Sequence, residues 1–157
     1  MSIQPGQPAP AFTLLNTDKQ KVSLSDLRGK NVVLLFFPLA FTSVCTAELC
    51  NVRDNISLYN NVDAEVFGIS VDSLFVLNKF KQEQHLNFQL LSDFNKTASR
   101  DYGVLYDVSP IMDMEGVSKR AVFVIDKEGI VRYTEVTAST GDQINFEGLQ
   151  QAISALK

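Results

Sequence analysis

The chain has 157 residues, of which 45% are hydrophobic, and its formal net charge is −4 at pH 7. This length is typical of one globular domain, residues 1–157, and the acidic balance provides no basic surface for the phosphate backbone of a nucleic acid. The amino end lacks the cationic and apolar parts of a secretory signal, and no apolar run approaches the ~20 residues that span a bilayer, so we expect a cytoplasmic protein with no membrane partner.

Hydrophobic periodicity and turn residues predict strands that alternate with helices. In chain order, we predict a hairpin of strands 12–15 and 20–24, a helical turn at 25–29, a strand at 31–37, a helix at 43–59, a strand at 65–71, a helix at 73–84, a strand at 88–91, a helix at 96–102, strands at 120–126 and 130–136, and a helix at 145–156.

The connections between these elements predict the topology of the sheet. The strands at 31–37 and 65–71 are joined through a helix, so we expect them to be parallel. The turn at 127–129 predicts an antiparallel pairing of the last two strands. These patterns predict an α/β protein with the thioredoxin-like fold, in which an amino-terminal β-hairpin precedes a central mixed sheet flanked by helices.

Two cysteines, Cys45 and Cys50, are the main chemical feature of the chain. In a reducing compartment they are poor candidates for a permanent disulfide. The sequence contains one histidine, His85, so a zinc site of cysteines and histidines is not easily built. We therefore expect chemistry at the cysteines, without a metal or another cofactor.

The position of Cys45 in the chain favours a reactive thiol. Pro38 ends the buried strand at 31–37, and Thr42 or Ser43 can cap the helix that follows. Cys45 then lies in the first helical turn, where backbone N–H groups favour an anion. We expect its pKa to lie below the ~8.5 of a free thiol, which predicts a thiolate at neutral pH.

Several segments of the chain resemble the peroxiredoxin family. The most specific is the octapeptide from Pro38 to Cys45, which matches the pattern Pro-x-x-x-Thr-x-x-Cys. The other segments are residues 6–12, 67–72, 88–93 and 119–126. The resemblance implies a thiol-dependent peroxidase that reduces hydrogen peroxide and organic hydroperoxides, with Cys45 as the peroxidatic nucleophile that becomes a sulfenic acid.

The neighbouring residues have chemistry that suits this reaction, which needs a thiolate, a grip on both oxygens and stabilisation of the departing charge. The Thr42 hydroxyl can accept a hydrogen bond from the peroxide while donating toward the sulfur, and Pro38 can shield the sulfenic acid from water. The resemblance assigns to Arg120 a fixed cation beside thiolate and peroxide; the alternative is a surface charge at a strand edge. Glu48 either orients Arg120 or is an acid that favours the helix dipole.

Cys50 follows Cys45 by five positions. On an intact helix this separation gives a rise of ~7.5 Å and sulfurs that point apart, so a disulfide requires the first helical turns to unwind. The spacing resembles the bacterioferritin-comigratory-protein or PrxQ subfamily, which implies that Cys50 resolves the sulfenic acid and that thioredoxin or another dithiol reduces the resulting disulfide. Residues 103–107 and 109–119 are more similar to the AhpE-like group, which implies a single-cysteine cycle with an external thiol and Cys50 as a small buried residue.

Two other functions compete with a peroxidase. A disulfide oxidoreductase on the same fold needs Cys-x-x-Cys, which this spacing does not provide. A redox sensor that does not turn over needs only an accessible thiol of low pKa, so the presence of Thr42, Pro38 and Arg120 favours an enzyme. The sequence leaves open whether the protein is a monomer or a homodimer, and which peroxide it prefers.

Overall fold

Strands and helices alternate along the chain. The computed structural model describes residues 3–110 and 112–156. Its elements are β1 (Thr13–Asn16), β2 (Lys21–Ser23), a short 3-10 helix (Leu24–Leu27), β3 (Asn31–Phe36), α1 (Ser43–Asp54), α2 (Ile56–Asn60), β4 (Ala64–Ser70), α3 (Leu74–Gln84), β5 (Gln89–Ser92), α4 (Thr97–Asp101), β6 (Ala121–Ile125), β7 (Val131–Val136) and α5 (Phe146–Ser154).

The seven strands of these two ranges form one mixed sheet in the order β2-β1-β5-β4-β3-β6-β7. β3 and β4 are parallel, β6 and β7 are antiparallel, and β1 and β2 form the antiparallel amino-terminal hairpin, so these predicted pairings are confirmed. β3 lies between β4 and β6, and every residue of this strand is buried. A central strand that is covered on both faces needs no polar alternation, which explains its continuous apolar sequence.

Two hydrophobic clusters cover the two faces of the sheet. Successive residues at the end of β3 point to opposite faces, as the pleat requires: Leu35 and Phe37 belong to one cluster, and Leu34 and Phe36 to the other. The first cluster includes residues of α1, α3 and α5, and the second includes residues of α4 and of the amino-terminal hairpin. This arrangement confirms the predicted thioredoxin-like fold.

The single helix predicted from about Ser43 to Tyr59 is wrong at Asn55, where α1 and α2 separate. Asn55 leaves the helical conformation with φ −118° and ψ 22°. Its side-chain amide donates to the carbonyl of Asn51 at 2.8 Å, and its backbone N–H donates to the carbonyl of Val52 at 3.1 Å. Asparagine offers the backbone such local alternatives to the helical hydrogen bond, which is the physical reason for the break.

Candidate active site

The candidate site lies in the loop between β3 and α1 and in the first turn of that helix. Pro38 is buried two residues after the end of β3, and Thr42 is the N-cap of α1 with φ −95° and ψ 152°. The backbone N–H of Thr46 donates to the carbonyl of Thr42 at 2.9 Å and begins the helical ladder. Cys45 is the third residue of α1, so it belongs to the first turn, whose N–H groups have no partners within the helix.

Arg120 joins Cys45 to Glu48. Its Nη2 atom donates to Cys45 Sγ at 3.2 Å and to the carbonyl of Thr140 at 2.9 Å, while Nη1 donates to Glu48 Oε1 at 2.6 Å. Cys45, Glu48 and Arg120 are each no more than 1% exposed. Arg120, which directly precedes β6, is therefore a buried cation rather than a surface charge, and Glu48 lies against its guanidinium.

The electrostatics of this group follow from burial and from its opposite charges. Burial raises the pKa of Glu48 to about 7, although the charge of Arg120 and its hydrogen bond act in the opposite direction. Burial also disfavours the charged form of Arg120, but Glu48 and Cys45 outweigh this effect and raise its pKa above the ordinary value. Arg120 is thus a permanent cation, whereas Glu48 changes its charge near neutral pH.

The Thr42 hydroxyl does not donate in the direction that we predicted from the sequence. Its hydroxyl donates to the carbonyl of Leu39 at 2.8 Å, and not toward the sulfur of Cys45. A hydroxyl that has committed its proton keeps two lone pairs, so the Thr42 oxygen can accept a hydrogen bond from a peroxide. The bond to Leu39 accordingly selects the acceptor role for this hydroxyl.

Polar side chains from remote parts of the chain hold the loop and helix in place, and sequence reasoning missed them. Asp72 accepts the N–H of Ala40 at 2.8 Å, Ser118 donates to the carbonyl of Phe37 at 3.0 Å, and Gln143 donates to the carbonyl of Val44 at 3.0 Å. Asp72 lies within the segment 67–72, which resembles the peroxiredoxin family, and this resemblance was the signal that could have indicated its importance. Ser118 and Gln143 belong to irregular segments, and no spacing or motif marks them.

Cys50 is not brought to the site. It is half-buried further along α1, and its sulfur donates to Oε1 of Gln84 at 3.5 Å. Both cysteines are free thiols, and α1 is continuous across them, which separates them by a rise of ~7.5 Å along the axis. The two sulfurs therefore have different surroundings in this structure.

The described residues offer neither a metal site of His, Cys, Asp and Glu side chains nor a membrane-spanning helix. Across residues 3–110 and 112–156, no three side chains among His, Cys, Asp and Glu converge as a possible metal site. No helix in these ranges has the length and apolar character needed to cross a membrane.

The chain is similar to known proteins over most of its length. The model of the AhpC/TSA family matches residues 5–134. A Coxiella burnetii protein named "Putative peroxiredoxin bcp" is 41% identical over 131 residues, which are 83% of this chain and 87% of that protein. The mitochondrial thioredoxin-dependent peroxide reductase of Drosophila melanogaster is 39% identical over 141 residues, and the alignment covers 83% of this chain and 58% of that protein. The crystal structure of peroxidoxin BcpB from Mycobacterium tuberculosis is similar with a TM-score of 0.85 and 27% identity, over 99% of each chain.

Proposed function

Because the chain belongs to the AhpC/TSA family and is a peroxiredoxin, an oxidoreductase that reduces peroxides with a thiol, we propose that Cys45 is its peroxidatic cysteine. The contact of 3.2 Å between Arg120 Nη2 and Cys45 Sγ, in the first turn of α1, is the observation that carries this proposal. A buried guanidinium and a helix amino terminus both attract the negative charge of an attacking sulfur.

The proposed oxidation step transfers one oxygen to sulfur. The Cys45 thiolate attacks one peroxide oxygen, the O–O bond breaks, and its electron pair leaves with the other oxygen, which takes up a proton to become water or an alcohol. Arg120 and the N–H groups of the first turn of α1 stabilise the departing negative charge. The sulfur of Cys45 is left as a sulfenic acid.

Thr42, Pro38 and Glu48 support this step in different ways. The Thr42 oxygen accepts a hydrogen bond from the peroxide hydroxyl, which orients the O–O bond toward the sulfur. Pro38 has no N–H that could compete for the ligand, and its buried ring limits the access of water. Glu48 holds Arg120 through the 2.6 Å ion pair, so that the other guanidinium nitrogen remains directed at Cys45.

In the second half of the proposed cycle, the thiol of Cys50 attacks the sulfenic sulfur of Cys45, which releases water and forms an intramolecular disulfide. A dithiol such as thioredoxin then reduces this disulfide and is itself oxidised. The dithiol assignment is supported by the name of the Drosophila relative, which is thioredoxin-dependent. We place this cycle in the cytoplasm, since a reducing compartment supplies the dithiol it consumes.

One observation favours a second cycle. The Cys50 sulfur donates to Gln84 at the end of α3, and α1 is continuous between the two cysteines. Both features keep the Cys50 sulfur away from Cys45. If α1 stays wound during turnover, an external thiol attacks the Cys45 sulfenic acid in place of Cys50. The peroxidase activity is the same in both cycles, but the disulfide partner differs.

Turnover is tested by measuring peroxide consumption with thioredoxin, thioredoxin reductase and NADPH. We expect many equivalents of hydrogen peroxide to be consumed per chain, and none by Cys45→Ser beyond the background rate. Consumption of a single equivalent per chain would instead identify a redox sensor without turnover.

Mass spectrometry after one equivalent of peroxide separates the two cycles. The wild-type protein should yield a peptide that links Cys45 to Cys50, and Cys50→Ser should retain a sulfenic acid on Cys45. A wild-type product without this link would reject Cys50 as the resolving cysteine and leave the external-thiol cycle.

A further inference from the structure

Asp72 connects the end of β4 to the loop that precedes Cys45. Its Oδ2 atom accepts the backbone N–H of Ala40 at 2.8 Å and the hydroxyl of Ser70 at 2.7 Å. Its own carbonyl accepts the hydroxyl of Ser92, at the end of β5, at 2.7 Å. β3, β4 and β5 are parallel neighbours, so their carboxyl ends meet at one edge of the sheet, and Asp72 is thereby brought beside the loop that follows β3.

The loop from Pro38 to Thr42 has a conformation that needs such support. Phe41 has a φ of 66°, in the left-handed region that a bulky side chain rarely adopts. It is 51% exposed, and its ring contacts Phe80 with centroids 5.2 Å apart. Backbone strain of this kind persists only where surrounding contacts impose it.

The hydrogen bond from Ala40 is placed to impose this conformation. Ala40 directly precedes Phe41, and Thr42 directly follows it. The Thr42 hydroxyl donates to the carbonyl of Leu39 at 2.8 Å and closes the segment 39–42. The N–H of Ala40 that donates to Asp72 lies within this segment. The hydroxyl of the fully buried Ser70 orients the carboxylate that receives the Ala40 N–H.

We propose that Asp72 is a positioning residue for peroxide reduction, which holds the loop through the N–H of Ala40 so that the Thr42 oxygen meets the peroxide above Cys45. This inference rests on the proposed roles of Cys45 and Thr42. Asp72 acts through the loop and does not touch the reacting atoms, so its loss affects peroxide orientation and leaves the sulfur beside Arg120.

Two reagents distinguish a loss of peroxide orientation from a general disturbance of the site. The rate of Cys45 oxidation by hydrogen peroxide depends on hydrogen bonds that align two oxygens, whereas the rate of its alkylation by iodoacetamide depends on thiolate content and access. For Asp72→Ala we expect peroxide oxidation to slow about 10- to 100-fold, the effect of a small misplacement of a reacting group. We expect alkylation to change by less than about twofold, since a positioning contact acts on the geometry of the peroxide.

Asp72→Asn is the conservative variant, because its amide oxygen can still accept the N–H of Ala40. It should recover most of the peroxide rate. Asp72→Leu, which keeps the branched shape without a hydrogen-bond acceptor, replaces Asp72→Ala if that variant does not fold. Asp126→Ala is the matched control, since Asp126 Oδ1 likewise accepts the backbone N–H groups of Glu128 and Ile130, in the turn between β6 and β7. This control should lower the thermal stability without slowing peroxide oxidation.

The inference is overturned if Asp72→Ala, or Asp72→Leu where the alanine variant does not fold, keeps the wild-type ratio of peroxide rate to alkylation rate, whether both rates are unchanged or fall together. It is also overturned if Asp126→Ala lowers that ratio as strongly as Asp72→Ala. A wild-type Cys45 that does not react with peroxide would instead reject the proposed function itself, and this inference with it.

Discussion

Arg120 is the residue on which the candidate site depends, because its two terminal nitrogens contact different groups. Nη1 holds Glu48, and Nη2 holds both the sulfur of Cys45 and the carbonyl of Thr140. A guanidinium provides several donors in a rigid plane, whereas the ammonium of a lysine is a single point charge on a flexible chain. The geometry of Arg120 therefore matters as well as its charge.

Replacement of Arg120 tests this difference. For Arg120→Ala we expect the second-order rate with hydrogen peroxide to fall by about 100-fold or more, because a charge-stabilising donor is lost. Arg120→Lys should recover only part of that loss. Stopped-flow kinetics measure both rates, and Arg132→Lys, an exposed arginine paired with Asp126, is the control. A wild-type rate in Arg120→Ala would remove the guanidinium from the reaction.

Glu48 predicts a dependence of stability on pH. Burial raises its pKa from an ordinary 4.5 to about 7, so the folded protein binds this proton more tightly than the unfolded chain does. Raising the pH through that window therefore favours the unfolded state. We expect the free energy of unfolding of the wild type, relative to Glu48→Gln, to fall between pH 4.5 and about 7 and to be level above it.

Urea unfolding at a series of pH values measures this difference for the wild type and Glu48→Gln. A difference that does not vary with pH would show that Glu48 has the same pKa in the folded and unfolded states. A difference that increases with pH would show that Arg120 lowers the pKa of Glu48 by more than burial raises it.

The helix α1 is fastened to the end of α3 by contacts that the proposed disulfide must break. Cys50 donates to the side chain of Gln84, and Arg53 Nη1 donates to the carbonyl of Gln84 at 2.6 Å. Asn87 donates in return to the carbonyl of Arg53 at 3.2 Å. In the proposed cycle, Cys50 can reach Cys45 only after α1 unwinds locally, so we expect these contacts to slow the formation of the disulfide.

Gln84→Ala removes the contact with the Cys50 sulfur. We expect the disulfide step to accelerate about two- to fivefold, the effect of one weak hydrogen bond, with the rate of sulfenic acid formation unchanged. Quenched mass spectrometry follows both species, and Gln82→Ala, an exposed glutamine on the same helix, is the control. If the disulfide forms no faster in Gln84→Ala than in this control, Gln84 does not restrain Cys50.

At the scale of the whole molecule, both hydrophobic clusters share one sheet. Tyr59 belongs to one cluster and Tyr102 to the other, and both are fully buried. Both clusters include residues of β3, so the loss of either cluster exposes a strand on which the other cluster also packs. We therefore propose that residues 1–157 unfold as a single domain.

Tyrosine fluorescence tests this cooperativity, since the chain contains no tryptophan. Tyr59→Phe and Tyr102→Phe each remove the fully buried tyrosine of one cluster. Both variants should show urea transitions that coincide with the loss of circular dichroism. Separate midpoints for the two faces would show that the protein unfolds in more than one unit.

The fold could be predicted from the sequence because hydrophobic periodicity and turn residues are local patterns. The apolar run of β3 and the turn at 127–129 each restrict the chain to few arrangements. The break at Asn55 was missed because asparagine is also tolerated inside helices. Asp72, Ser118 and Gln143 were missed because their roles depend on loops that only the folded sheet brings together, and no periodicity records such contacts.

The central claim is that the Cys45 sulfur is the atom that reduces the peroxide. The most direct measurement is the site and rate of the first oxidation after one equivalent of hydrogen peroxide, in the wild type, Cys45→Ser and Cys50→Ser. We predict that oxygen first appears on Cys45 at equal rates in the wild type and Cys50→Ser, and that Cys45→Ser reacts no faster than a free thiol in solution. A Cys45→Ser protein that consumes peroxide at the wild-type rate would contradict the account.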